Sequence, residues 1–350
     1  MMKVLVLGGA GFIGSNLTGY WMDKGADVTV YDNLSRPGGG AKKNLKAMQK
    51  HYKGQGRFHF LLDDIRDGGG LLQAVEGKDV VFHVAAQTAM TTSIDDPEED
   101  FSVNAQGTFN VLETVRRSGG NPVMVYTSTN KVYGDLTKRE VKLVEEDKRW
   151  DFADHGGIDE SYPLDFEGPY GCSKGTGDSY FLDYARTFGL RTVVFRMSGI
   201  YGTSQYATED QGWVNWITGQ ALRHQPMTIY GDGKQVRDIL YITDLLDMFN
   251  RAVTNIDKVK GEVFNIGGGR SNSISVLELL DLLKRGLNVT PSVVKYADWR
   301  RADQKVYITN ASKAKSVLGW EPKVDAGTGI ANVAKWISET DLRQVVWERL

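Results

Sequence analysis

Along the chain, short apolar runs rich in β-branched residues alternate with longer stretches of helical pattern. The runs are Val4 to Leu7, Val28 to Tyr31, Val80 to Val84, Val123 to Tyr126, Thr192 to Arg196 and Val263 to Ile266. Between the first two, Ile13, Leu17 and Trp21 recur every four residues, one face of a helix. Phe101 to Arg117 and Tyr170 to Phe188 also read as helices. Strand, helix and strand in repetition predict parallel pairing through right-handed crossovers, and so an α/β fold with a doubly wound parallel sheet. In that architecture the ligand site lies at the carboxyl ends of the strands.

After about residue 200 the rhythm loosens. TSQYATEDQGWVNW is aromatic and polar without a clean period, and a helical stretch, a strand-like MTIYG and a Gly-Lys turn follow. This reads as a smaller lobe packed over the cleft, with Val263 to Ile266 returning to the main sheet. The Lys-rich stretch Lys42 to Lys53 reads as a solvated helix face.

Composition narrows the classes. Of 350 residues, 41 % are hydrophobic and 25 % charged, ordinary values for a folded chain, which excludes intrinsic disorder. Lys and Arg total 42 against 44 Asp and Glu, a net charge of −2. That balance argues against a nucleic-acid binder dominated by phosphate contacts. No run of eighteen apolar residues occurs, so no membrane span is expected. The opening MMKVLVLGG has no secretory features, and a lone cysteine, Cys172, cannot form an internal disulfide. Both suit a cytoplasmic protein. Cys172 is expected to pack rather than react.

Glycine stands out, at 40 residues against 8 prolines. In VLVLGGAGFIGSNL, Gly8, Gly11 and Gly14 fall between a predicted strand and a predicted helix. Gly8 permits a tight turn, Gly11 lets the backbone approach a pyrophosphate, and Gly14 lets the helix pack close to the strand. The helix start then offers free N–H groups to the phosphates. The second strand ends in Asp32, whose carboxylate can accept from ribose hydroxyls and repels a 2′-phosphate, which favours NAD over NADP. Arg36 stands close enough in sequence to leave that preference open.

Tyr170 and Lys174, in PYGCSKGTGDSYF, are four apart and share one helix face. A tyrosine that acts as a base near neutrality must lose about 3 units from its usual pKa of about 10. A lysine ammonium and the positive charge of oxidised nicotinamide both push that way. Upstream, VMVYTST brings Thr127, Ser128 and Thr129 to a strand end. One of these hydroxyls can bond the sugar oxygen that Tyr170 deprotonates, and the others can cap the strand.

With GGAGFIGSNL, DIRD, HVAAQ, NAQGT, VYG, YGCSK, GDGKQVRD, FNIGGG and LGWEP, the chain resembles the extended short-chain dehydrogenase/reductase family of NAD-dependent nucleotide-sugar epimerases and dehydratases, from Met2 to about Trp336. The resemblance implies an NAD-binding Rossmann domain over residues 1–200, with a returning segment near 235–268. It implies a discontinuous nucleotide-sugar lobe over 201–350. For NAD it points to Gly8, Gly11, Phe12, Ile13, Gly14, Asp32 and Asn33, with Asp64 and Ile65 at the adenine. Ala85, Ala86 and Gln87 fall beside the nicotinamide ribose, with Asn104, Thr127, Tyr170, Lys174 and Met197 completing the set. Thr129, Tyr170 and Lys174 align with the catalytic residues. Arg237 and Arg300 resemble the arginines that hold the diphosphate, as a planar guanidinium suits paired phosphate oxygens. Asp303 resembles a nucleotide-ribose contact, and Tyr230 the residue that packs on the base. Thr88, Gln211 and Trp213 are further substrate candidates, with core filling an equal reading for Trp213. No metal is expected. Family members usually pair through the two helices named above, so a homo-oligomer is expected, dimer or tetramer.

Three departures stand out: Leu7 replaces a usual threonine, Gly199 a usual asparagine, and RPGD becomes RRAD at Arg300 to Asp303. Dehydratases of the family carry an acid and a base after the catalytic threonine. Here those positions are Asn130 and Lys131, which can serve as neither titratable acid nor carboxylate base. STNKVYGD, DESYPLDFEGPYGCSKGTGD and ATEDQGWVNW resemble the C2-epimerising members of that family, and the resemblance implies inversion at C2 of a CDP-linked hexose through transient oxidation. A UDP-sugar 4-epimerase is the alternative enzyme, and a non-catalytic NAD-sensing regulator the alternative of another class. Asp135 to Asp159, between catalytic strand and catalytic helix, is expected to border the sugar.

Overall fold

The computed structural model describes residues 1–36, 38, 40–139, 141–289 and 292–347. The first half of the chain lays down β1 (Lys3–Leu7), β2 (Asp27–Asp32), β3 (Phe58–Leu62), β4 (Val80–His83) and β5 (Val123–Thr129). A small hairpin follows, β6 (Leu143–Glu145) with β7 (Trp150–Phe152), and then β8 (Arg191–Met197). The chain next leaves the large sheet as β9 (Gly199–Tyr201), β10 (Pro226–Tyr230) and β11 (Val236–Tyr241), and rejoins it as β12 (Glu262–Ile266). Strands β13 (Ser273–Ser275), β14 (Ser292–Ala297) and β15 (Val306–Tyr307) belong to smaller sheets.

The large sheet runs β12-β8-β5-β4-β1-β2-β3, every pairing parallel. Within β1, Val4 and Val6 join one core cluster and Leu5 and Leu7 the other, so both faces are covered. On one face Phe82 meets Trp21 of the helix Phe12–Asp23 and Phe249 of the helix Ile242–Thr254, at ring centroids of 6.0 and 5.9 Å. On the other, Tyr126 stacks on Phe181 of the helix Gly168–Phe188 at 4.6 Å. Aromatic rings thus tie helices to both sides of a doubly wound sheet. Register brings Leu7 level with Tyr31 and His83, and Thr129 level with Met197, so the carboxyl ends line up along one edge.

One ion pair fixes the helix Gly168–Phe188 to the sheet. Arg196 of β8 donates Nε to Asp178 Oδ2 (2.8 Å) and Nη2 to Oδ1 (3.0 Å), both residues buried. Ser128 Oγ donates to the same carboxylate, and Arg196 Nη1 donates to the Tyr133 hydroxyl oxygen. Together these satisfy a charge pair that would otherwise be costly to bury.

The remaining strands form the smaller lobe. Strand β11 pairs with β9 and β15 in parallel and with β13 antiparallel, and β10 pairs with β14. Of the segment 235–268 expected to return, Val236–Tyr241 therefore stays in the small sheet. The return starts with the helix Ile242–Thr254, whose apolar stripe seeks the large sheet, and ends with β12. Residues 348–350 of the second expected span lie outside the described residues. No described helix is long and apolar enough to cross a membrane.

The stretch Asp135 to Asp159 is a correction. It supplies none of the described residues that line the cleft, and Leu136, Val141, Phe152 and Ile158 are buried in a core cluster with Val236, Val306 and Tyr307. Trp150 Nε1 donates to Asp232 Oδ2 (2.7 Å), its backbone N–H donates to the Lys234 carbonyl (2.8 Å), and Arg149 and Lys148 pair with Glu278 and Asp281. These polar anchors lie on the helix Val276–Leu287 and the turn after β10.

Candidate active site

The glycine turn is built as its spacing predicts. Gly8 has φ +81°, and a Cβ there would come within 2.6 Å of the Ala85 backbone nitrogen. This close approach puts Ala85 against the turn, with Ala86 next in the chain. A Cβ on Gly14 would collide with the Gly8 carbonyl. On Gly11 it would meet only Gly8 O, at 3.2 Å, and would otherwise project into the open cradle. The helix beginning at Phe12 and Ile13 has no side-chain cap and no acidic residue in its first turn, so its leading N–H groups are left for an anion.

Asp32 closes the far end. Its carboxylate accepts from the backbone N–H of Ala10 (3.0 Å) and Leu34 (2.8 Å). Burial pushes its pKa up and these donors pull it back. Asn33 Nδ2 donates to Asp64 (2.7 Å), and Arg66 grips Asp64 through Nε and Nη2, holding that carboxyl at about 2. Ile65 turns its side chain into the core against Gly107, which leaves its backbone for any contact with a ligand.

Asn104 lies behind the cradle rather than on its surface. It accepts from the Gln87 N–H (2.9 Å) and donates to the Gln87 carbonyl, Asp100 Oδ1 and Ser173 Oγ. One amide in a π-helical turn, Ser102–Gln106, thus joins the loop after β4 to the helix Gly168–Phe188. Gln87 Oε1 is buried without a partner among the described residues. An open glycine cradle, an uncapped helix start, a carboxylate at the end of β2 and an unmatched buried amide oxygen fit a dinucleotide.

Beside the cradle is a cleft of about 320 Å³. Thr129 ends β5 at its wall, where its hydroxyl donates to Asn130 Oδ1 (3.3 Å) and accepts from the Lys131 N–H (3.2 Å), and Tyr170 lines the same cleft. Burial raises the Tyr170 phenol to about 12, the Thr129 hydroxyl lowers it, and Asp100 raises it further. Lys174 is buried one turn on, its Nζ 4.3 Å from the Tyr126 ring centre. Desolvation brings it down to about 7, against the pull of Asp100 and Asp178. Burial is the largest influence on both groups. Of the three hydroxyls, Thr127 donates to the His83 carbonyl and Ser128 to Asp178, so both tie the scaffold. Met197 faces Thr129 across β5 and β8.

All eight residues expected at the substrate line this cleft: Thr88, Thr129, Gln211, Trp213, Tyr230, Arg237, Arg300 and Asp303. Gln211 Nε2 donates to the Thr88 hydroxyl across it. The Arg300 guanidinium lies 4.2 Å over the Tyr230 ring. Gly199 lines the floor, with room for a Cβ 3.9 Å from the Trp213 indole nitrogen. Sequence reasoning missed Lys131, Glu209 and Asp210 as lining residues. Their adjacency to Thr129 and Gln211 was the available signal. Cys172 is exposed on the helix Gly168–Phe188, against the expectation that it packs.

A dinucleotide cradle beside a Thr-Tyr-Lys set, with Thr129 and Lys174 buried and Tyr170 half-buried at the cleft, defines a dinucleotide-dependent enzyme of the short-chain dehydrogenase/reductase type. The chain belongs to the NAD dependent epimerase/dehydratase family, whose model matches residues 4–267. It is 44 % identical over 345 residues to the CDP-paratose 2-epimerase of Salmonella typhi, covering 96 % of this chain and 99 % of that one. A putative UDP-glucose 4-epimerase of Methanocaldococcus jannaschii is 30 % identical over 97 % of this chain and 99 % of its own. Among solved structures, the Thermus thermophilus UDP-glucose 4-epimerase complexed with NAD is similar, with TM-score 0.80, 28 % identity and coverage of 97 % and 100 %.

Proposed function

We propose that this enzyme inverts C2 of a CDP-linked hexose, of the CDP-paratose or CDP-glucose type. The observation that carries the reading is the 44 % identity, end to end, with a CDP-paratose 2-epimerase. Two features of the cleft support it over elimination of water. Asn130 Nδ2 donates to Gln304 Oε1 (3.2 Å), and Lys131 pairs with Asp303, so neither position offers a carboxylic acid. Bound NAD supplies a reversible hydride acceptor.

The chain's own residues do the rest. The Tyr170 oxygen takes the proton from the C2 hydroxyl and later returns it. Thr129 donates to the reacting oxygen, and Lys174 holds the nicotinamide ribose. Arg237 and Arg300 hold the diphosphate while the sugar presents its other face, which limits escape of the 2-keto intermediate. Tyr230 packs on the base. Residues 1–200, with the return through β12, would serve NAD, and the lobe from 201 onward the nucleotide sugar. A cytoplasmic homo-oligomer completes the proposal. Exposed Phe109 and Tyr180, 5.8 Å apart on neighbouring helices, offer it an apolar face.

The test is turnover of CDP- and UDP-sugars with product NMR at C2 and C4. Inversion at C2 of a CDP-sugar is expected, and inversion only at C4 of UDP-sugars would replace this reading. Run in deuterium oxide, the reaction should leave C2 free of solvent deuterium. Label at C2 would point to a carbanion route.

A further inference from the structure

We infer that Lys131 is a diphosphate-binding residue, and that Asp303 occupies the phosphate's place as an internal stand-in until the substrate arrives. The inference rests on the nucleotide-sugar reading above and adds to it a residue and a displacement.

The geometry begins at one oxygen atom. Asp303 Oδ1 accepts from Lys131 Nζ (2.9 Å), Arg237 Nη2 (2.6 Å) and its neighbour's Gln304 N–H (3.1 Å). Two cationic nitrogens converge on a single point in the wall of the cleft. A phosphate oxygen brought to that point would meet the same donors, and charge-assisted bonds to phosphate are as strong as those to carboxylate. Lys131 is largely buried and comes from the strand end that carries Thr129, so its ammonium bridges the reacting end of the cleft and the Arg237 end.

Charge supplies the second argument. The cleft lining holds three cations, Lys131, Arg237 and Arg300, and three carboxylates, Glu209, Asp210 and Asp303. Arg300 is taken by Asp210 (3.3 Å) and by the Glu209 carbonyl (2.9 Å). The unliganded cleft is therefore balanced. A doubly charged diphosphate buried in it would lack counter-charge unless an internal carboxylate let go. Asp303 is the acid whose release frees two cations at once. Its carboxyl would be pushed up by burial, but Lys131 and Arg237 hold it well below the usual range, so it stays charged and able to compete.

The family resemblance gives Asp303 the opposite task, a contact that helps the nucleotide bind. The sign of one substitution separates the two. Titration calorimetry on the NAD-loaded enzyme would compare CDP, UDP and the matching nucleosides in wild type, Lys131→Met, Lys131→Arg and Asp303→Asn. The expected result is at least tenfold weaker diphosphate binding for Lys131→Met. Nucleoside binding should be unchanged and Lys131→Arg within threefold of wild type. Asp303→Asn should bind the diphosphate at least threefold tighter. Lys131→Met within threefold of wild type, or weaker binding by Asp303→Asn, would overturn the inference. If Lys131→Met does not fold, the Asp303→Asn result decides alone. A wild-type enzyme that binds neither CDP nor UDP would sink the nucleotide-sugar reading itself.

Discussion

Tyr170 carries the proposed proton transfer from an unfavourable start, because burial holds its phenol near 12 while Lys174 sits near 7. The chain alone does not make a phenolate at neutral pH, and the remaining drop falls to the positive charge of bound oxidised nicotinamide. Tyr170→Phe should lower kcat by roughly 10²–10⁴, the range for loss of a positioned acid–base group. NAD should still co-purify, as read by absorbance of the heat-released coenzyme. Near-normal turnover would remove the phenol from the chemistry. Lys174 gives a stability prediction of defined sign. Its folded pKa of about 7 lies below its usual 10.5, so the unfolded chain binds more protons between those values. Coenzyme-free protein should gain stability as pH rises from about 7 toward 10, and lose it again as pH falls. Lys174→Met should show a flatter profile in chemical denaturation over that window. Equal slopes would mean that Lys174 is charged in the folded state.

The glycine turn and the catalytic helix are the elements on which the site depends. Gly14→Ala should both lower Tm and empty the cradle of NAD, since its Cβ meets backbone that cannot swing aside. Retention of full NAD content by that variant would contradict the close packing. Asp178→Ala leaves Arg196 buried and unpaired, a loss of about 3–5 kcal/mol measurable in urea. Both the turn and the helix were legible in the sequence, because three glycines at fixed spacing and a Tyr-x-x-x-Lys helix each obey a local rule. Strand β3 was not. Phe58–Leu62 lies at the sheet edge with Leu61 and Leu62 exposed, so it lacks the continuous apolar pattern of a doubly covered strand. The Asp135–Asp159 stretch was misplaced for a related reason. Its anchors, Trp150 to Asp232 and Arg149 to Glu278, join residues far apart in sequence. Asn104 was found as a site residue, but its indirect action through Gln87 rests on contacts no spacing encodes.

For the whole molecule, the open questions are assembly and motion. If the face carrying Phe109 and Tyr180 joins two copies, Tyr180→Asp should halve the mass seen by light scattering and leave NAD bound. An unchanged mass would move the interface elsewhere. Motion is constrained by the route of the chain. It leaves the large sheet after β8, comes back through the helix Ile242–Thr254 and β12, and departs again toward β13. Several crossings between the lobes resist a wide rotation more than a single linker would. Admission and release of a bulky ligand should then come from side chains and loops at the rim, so spectroscopic labels placed on the two lobes should report nearly the same separation with and without nucleotide.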